Sequence, residues 1–188
     1  MSLCVWLYHC YVVGEVSGVT RLGDVIYVVR RKSSVIRRYS ADTLSPLDDD
    51  IHVEGMEHPT RDIAACRHDR QLYIAEHNEH CIWRVSTNDH SSVKWLSIED
   101  DDTFKCWALS LTSRRLLVTS AAPPVLRQYN TVDRQLLRDI ELPRDVRQLL
   151  HAVETRRETY VVGYQGTPHH KYQWAVSDLF SSSRRQPR

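Results

Sequence analysis

The chain has 188 residues, one domain at roughly 150 residues per domain. A domain of this size buries roughly 70% of its unfolded surface, so its core needs no disulfide or metal. Apolar residues make up 41% and charged residues 26%, which excludes a disordered chain. With 25 basic against 24 acidic residues the net charge is +1, which excludes a strongly basic nucleic-acid protein by bulk charge but leaves room for a local basic face. Five cysteines at irregular spacing, Cys4, Cys10, Cys66, Cys81 and Cys106, form neither a disulfide framework nor a metal knuckle, and read as reduced thiols of a cytoplasmic protein. No run of about 18 apolar residues is present to span a membrane.

In chain order, Met1 to Gly14 is apolar but has no Lys or Arg before it and no small-residue cleavage site, so it reads as a strand rather than a leader. Four repeat units follow, at about residues 16–55, 59–98, 105–142 and 146–178. Their second strands align on Tyr27, Tyr73, Leu117 and Tyr160, in steps of 46, 44 and 43 residues. A third-strand series moves with them: Ile36, Ile82 and Leu126 each lie nine residues after their anchor. Unit two reads as strands at Asp62–Cys66, Gln71–Ala75, Cys81–Val85 and Val93–Ile98. Unit three reads as strands at Trp107–Leu111, Arg115–Thr119, Val125–Tyr129 and Leu137–Leu142. These runs are rich in Val, Ile, Leu, Tyr and Trp and are separated by polar turns. The one helix-like stretch, Arg134 to Val153, is broken by Pro143. Residues 179–188 read as a polar, disordered tail.

Four strands every 40–45 residues is the pattern of a β-propeller blade. The expected fold is all-β, about four four-stranded blades. Tyr73, Ile74, Ile82, Val118 and Leu126 recur where blades pack face to face and are the expected core. His58-Pro59-Thr60-Arg61-Asp62-Ile63-Ala64, followed by Leu72-Tyr73-Ile74-Ala75-Glu76-His77-Asn78-Glu79-His80-Cys81-Ile82-Trp83-Arg84-Val85, resembles an NHL repeat. Unit four matches in part, and units one and three keep only the strand pattern. Glu76 stands where that family has Asp, and Cys81 where it has Arg. The resemblance implies a six-bladed ring, of which this chain would be an open or truncated arc with self-associating edges. The alternative is a four-bladed ring closed by Leu3–Val13. It also implies relatives among tripartite-motif ligases that bind proteins or structured RNA, but the RING, B-box and coiled coil that would carry ligase activity are not in this chain.

The chemistry-bearing residues are sparse. Glu76-His77-Asn78-Glu79-His80 and His169-His170-Lys171 fall in turns between strands, without zincin order. Asp48-Asp49-Asp50 and Glu99-Asp100-Asp101-Asp102 lack the alternation and glycine of a calcium loop. Some six-bladed propellers are metal-dependent lactonases with carboxylates on their inner strands. Here those strands are read as Gly18-Val19, Ile63-Ala64-Ala65, Trp107-Ala108-Leu109 and Leu150-His151-Ala152, with His151 the one ionisable group. The expectation is therefore a non-catalytic module with no metal and no cofactor. It would bind a protein partner through a rim carrying Arg30, Arg31, Arg61, His77, Arg144 and Arg147. RNA binding on the same arginines is the alternative, and a lactonase-type hydrolase the less favoured one.

Overall fold

The computed structural model describes residues 16–76, 80–98, 104–121, 124–140, 142, 146, 148–155, 160–165 and 173–177. Blade one is β1 (Val16–Leu22), β2 (Val25–Arg30), β3 (Val35–Ser40) and β4 (Ile51–His52). Blade two is β5 (Thr60–Cys66), β6 (Gln71–Glu76), β7 (Cys81–Ser86) and β8 (Ser92–Ser97). Blade three is β9 (Ala108–Thr112), β10 (Arg115–Ala121), β11 (Pro124–Asn130) and β12 (Leu136–Ile140). Three strands of a fourth are β13 (Gln148–Glu154), β14 (Tyr160–Gln165) and β15 (Gln173–Ser177). Each sheet is an antiparallel meander in sequence order. No helix occurs among the described residues, and the helix-like stretch after Arg134 is strand β12.

Local chemistry at the turns repeats as regularly as the strands. The β1–β2 hairpin closes over Gly23-Asp24, with Gly23 at φ +61°, and the β9–β10 hairpin over Ser113-Arg114, with Ser113 at φ 56°. A positive φ at the first turn residue matches the right-handed twist of the flanking strands. The third strand of each of the first three blades ends on Ser40, Ser86 or Asn130. The amide of that residue donates to the carbonyl five residues on, Ser45, Ser91 and Gln135. The next amide, of Ala41, Thr87 or Thr131, donates to the carbonyl of Asp24, Arg70 or Arg114 in the hairpin beside it. The residue four after the strand end, Leu44, His90 or Arg134, is left-handed in each case. Side chains of Ser40, Ser86 and Asn130 accept from amides two or three residues on, and those of Thr43, Asp89 and Asp133 from amides two residues on. The first three blades thus satisfy their turn amides with short polar side chains at equivalent positions.

The core lies between blades. Strand alternation turns Tyr27 and Val29 of β2 toward Leu72 and Ile74 of β6. It turns Tyr73 and Ala75 of β6 toward Leu116 and Val118 of β10, and Leu117 of β10 toward Leu149 and Ala152 of β13. Tyr73, Ile74, Ile82, Val118 and Leu126 are all buried, as the repeat implies. Tyr73 meets Trp95 edge-on at 5.0 Å between ring centroids.

Successive inner strands pack on one another, β1 on β5, β5 on β9 and β9 on β13, whereas no comparable packing joins β13 back to β1 among the described residues. The described residues form an open β-propeller arc. The chain's first 15 residues and residues 178–188, which include the expected closing strand and tail, lie outside the described residues.

Two expectations need correction. Inner strands β1, β5 and β13 each carry a bulge, between Val16 and Gly18, Thr60 and Asp62, and Leu149 and His151. Matching these bulges places Val161, paired with Val153, opposite Tyr27 and Tyr73 in the repeat, so the fourth anchor is one residue later than Tyr160. Strand β5 also begins at Thr60 rather than Asp62. It therefore carries Arg61 as well as Asp62 into the middle of the arc, so His151 is not the one ionisable group on the inner strands.

Candidate functional site

The bulges set Gly18, Asp62 and His151 at equivalent places in β1, β5 and β13, with Ala108 at the matching place in β9. Bulges re-aim side chains wherever two residues oppose one. Asp62, Ala108 and His151, with the residues before them and Ser17, surround a cavity of about 340 Å³ that Arg31 also lines.

Asp62 is the pivot. Its Oδ1 accepts from the Ile63 amide and its Oδ2 from the Leu109 amide of the next blade, both at 2.8 Å. Oδ1 also lies 2.5 Å from where a Cβ on Gly18 would stand, so only glycine at 18 admits the carboxylate between blades one and two. Burial pushes the Asp62 carboxyl up to about 7, against the pull of the Leu109 and Ile63 amides and of Arg61. An acid that binds its proton more tightly when folded contributes stability that is present at low pH and lost as pH rises toward the folded value. Asp62 should therefore make the protein less stable at pH 8 than at pH 5. Urea unfolding of wild type and Asp62→Asn at those two pH values reads the difference, and the variant should lose this part of the slope.

Arg61 is buried, and its guanidinium carbon lies 3.4 Å from the centroid of the Trp107 ring. Burial and, after it, the Arg31 charge lower its pKa, so two guanidinium groups share the cavity. Burial likewise lowers the pKa of His151, leaving a neutral imidazole at neutral pH. Around the cavity the blades are tied by polar groups. Thr60 donates its amide to Ser33 O and its hydroxyl to Arg30 O, and Ser17 donates to Thr60 O. Between blades three and four, the buried Glu154 carboxylate holds Arg115 and Gln128, each at 3.0 Å.

Of the residues expected on the rim, Arg31 is exposed in the β2–β3 turn and Arg30 half-buried at the end of β2. The bonds from Thr60 put that turn and the loop leading into β5 on one face. Arg61 is not a rim residue: it lies inside the arc, stacked on Trp107. His77, Arg144 and Arg147 lie outside the described residues, as do His169-His170-Lys171 and Glu99–Asp102. Glu76, set down as a turn residue, is buried at the end of β6. It accepts from Trp83 Nε1 at 2.6 Å, from the Cys81 thiol at 3.0 Å, and from the His58 and Glu57 amides at 2.8 and 3.0 Å. Asp49 and Asp50 pair with Arg38 and Arg37 across the outer strands of blade one. No group of three or more possible metal ligands occurs among the described residues.

The sequence reading missed a second basic site. On the opposite rim Arg21, Arg67 and Arg70, with Asp24, line a groove of about 560 Å³ between blades one and two. Arg67 and Arg70 fall in the β5–β6 hairpin, and Arg21 stands near the end of β1 beside the equivalent hairpin of blade one. The repeat alignment itself could have found them, since it puts those hairpins on one face.

No family model matches the sequence, and no curated protein matches it either. Solved structures match its fold. The chain is 11% identical to the computationally designed Ika4 protein at a TM-score of 0.60, covering 87% of this chain and 91% of that one. It is 11% identical to the RRP9 WD40 repeats at 0.64, covering 86% and 50%. It is 12% identical to the WD40 β-propeller domain of Doa1 at 0.61, covering 88% and 52%. The chain thus spans about half the length of the WD40 structures and nearly all of the designed one. At such identity the likeness concerns the fold, and the fold is a β-propeller.

Proposed function

We propose that this chain is a non-catalytic protein-interaction module, an NHL-like propeller arc whose contact surface is the face bearing the β2–β3 turn and the mouth of the axial cavity. The observation that carries this is the pair of cationic groups there, Arg31 and the Trp107-stacked Arg61, with neither in a hydrogen bond or ion pair among the described residues. A rigid scaffold that presents unspent guanidinium groups suits recognition of another macromolecule. A hydrolytic reading has less support. Both Asp62 oxygens are engaged by backbone amides, and no metal partner set surrounds His151 among the described residues. The buried free thiols of Cys66, Cys81 and Cys106 suit a reducing, cytoplasmic setting.

The test is affinity capture from a reducing cell extract with wild type and Arg31→Glu. The expected result is a ribonuclease-resistant protein partner that Arg31→Glu loses and that Arg67→Glu/Arg70→Glu keeps. A partner kept by Arg31→Glu and lost by the other variant would move the contact surface to the opposite rim. Because Arg31 is exposed, its reversal should change the unfolding free energy by less than about 0.5 kcal/mol, which denaturant titration checks. Sedimentation at micromolar concentration tests self-association through the outer blades of the arc.

The groove of Arg21, Arg67 and Arg70 supports a second reading, RNA binding on the opposite rim. A fluorescent single-stranded RNA should then bind with an affinity that falls steeply with salt, and Arg67→Glu/Arg70→Glu should abolish it.

A further inference from the structure

We infer that the axial cavity is a carboxylate receptor, with Arg61 as its fork and Arg31 as its second cation, and that it takes an acidic group of a protein partner. This rests on the interaction reading above and specifies its chemistry. Buried charges in proteins are normally paired, yet Arg61, only 8% exposed, has no ion pair or hydrogen bond among the described residues. The nearest acid does not serve: both Asp62 oxygens are held by the Ile63 and Leu109 amides. Trp107 covers one face of the Arg61 guanidinium at 3.4 Å. Stacking holds the plane of the group while its N–H edge stays available for an in-plane acceptor. A carboxylate meets such an edge with two parallel hydrogen bonds. Val16, Ala108 and Leu150 supply apolar wall for the methylene stem of a side chain, and Arg31 stands at the same opening. A monoanion fits better than a phosphate dianion, because Asp62 on the cavity wall adds repulsion as it ionises.

The full-length chain labelled with ¹⁵N gives the test. The indole N–H of Trp107 reports the site, and those of Trp83 and Trp95, buried in blade two, report the fold. The probes are N-acetyl-glutamate amide, N-acetyl-glutamine amide, N-acetyl-alanine with its free carboxylate, and inorganic phosphate. The glutamate probe should shift the Trp107 signal saturably and the glutamine probe should not. Comparison with N-acetyl-alanine separates a side-chain carboxylate from a chain terminus. Arg61→Leu should weaken glutamate binding at least about tenfold, the equivalent of one charge-assisted hydrogen bond. Arg61→Lys, which keeps the charge without the fork, should weaken it less and serves if the leucine variant disturbs the Trp83 or Trp95 signals. Equal shifts with glutamine, unchanged binding in a folded Arg61 variant, or tighter binding of phosphate would each overturn the proposal. If glutamate fails to bind while Arg31→Glu still loses the captured partner, the receptor is refuted and the interaction reading stands. If Arg31→Glu also keeps the partner, both fall.

Discussion

Glu76→Ala should destabilise the protein by about 3–5 kcal/mol, because it strands a buried indole N–H and removes charge-assisted bonds to two amides and a thiol. The loss should appear as a lower denaturant midpoint with a similar slope. Glu76→Gln, which keeps the shape but presents an NH2 group to one set of donors, should cost less. Burial alone would push the Glu76 carboxyl up, but the bonds from Trp83, Cys81, His58 and Glu57 outweigh it and hold the pKa below the usual carboxylate range. An acid with a lowered folded pKa contributes stability that is present above its unfolded value and lost as pH falls through the folded one. Wild type should therefore weaken in acid below about pH 4, near the ordinary glutamate value, and Glu76→Ala should lack that part of the acid sensitivity. An equal acid response in both would show that the carboxylate is not bonded as described.

Ile82→Ala should cost about 2–5 kcal/mol, the range for emptying a fully buried large aliphatic site. Ile82 is 0% exposed and packs among Tyr73, Trp95, Phe104 and Leu116 at the interface of blades two and three. Those neighbours are large rings and branched chains held by two separate sheets, so the void cannot collapse fully. A cost under about 1 kcal/mol would mean that the site relaxes, contrary to the close packing of such interiors. Val93, 44% exposed on β8, is the control: its replacement by alanine should fall within about 0.5 kcal/mol.

The strands were legible because each blade repeats one alternation of apolar residues, and a period near 44 residues makes independent errors visible. A further repeat was also present in the letters. Ser40, Ser86 and Asn130, followed three residues later by Thr43, Asp89 and Asp133, mark the same turn in three blades, although they do not form one residue motif. Chemical equivalence hides behind different side chains, since serine, asparagine, threonine and aspartate can each accept from a turn amide. The fourth anchor lies one residue later than expected because apolar Tyr160 and Val161 are interchangeable in pattern, while the bulge before His151 decides the register.

Sequence alone determined the β class, the blade period, the buried anchors and the face carrying Arg31, since all of these follow from alternation and turn placement along one strand or hairpin. Tertiary structure decided the site. Arg61 precedes an apolar strand and looks like a loop residue, and Asp62 like the outermost residue of that strand, until β5 is seen to start at Thr60 and to bulge after it. Trp107, Gly18, Leu109 and His151 come from other blades, 44 to 89 residues away from Asp62. Whether a charge is buried, stacked or bonded depends on distances between such strands, and a linear pattern fixes only the geometry within each one.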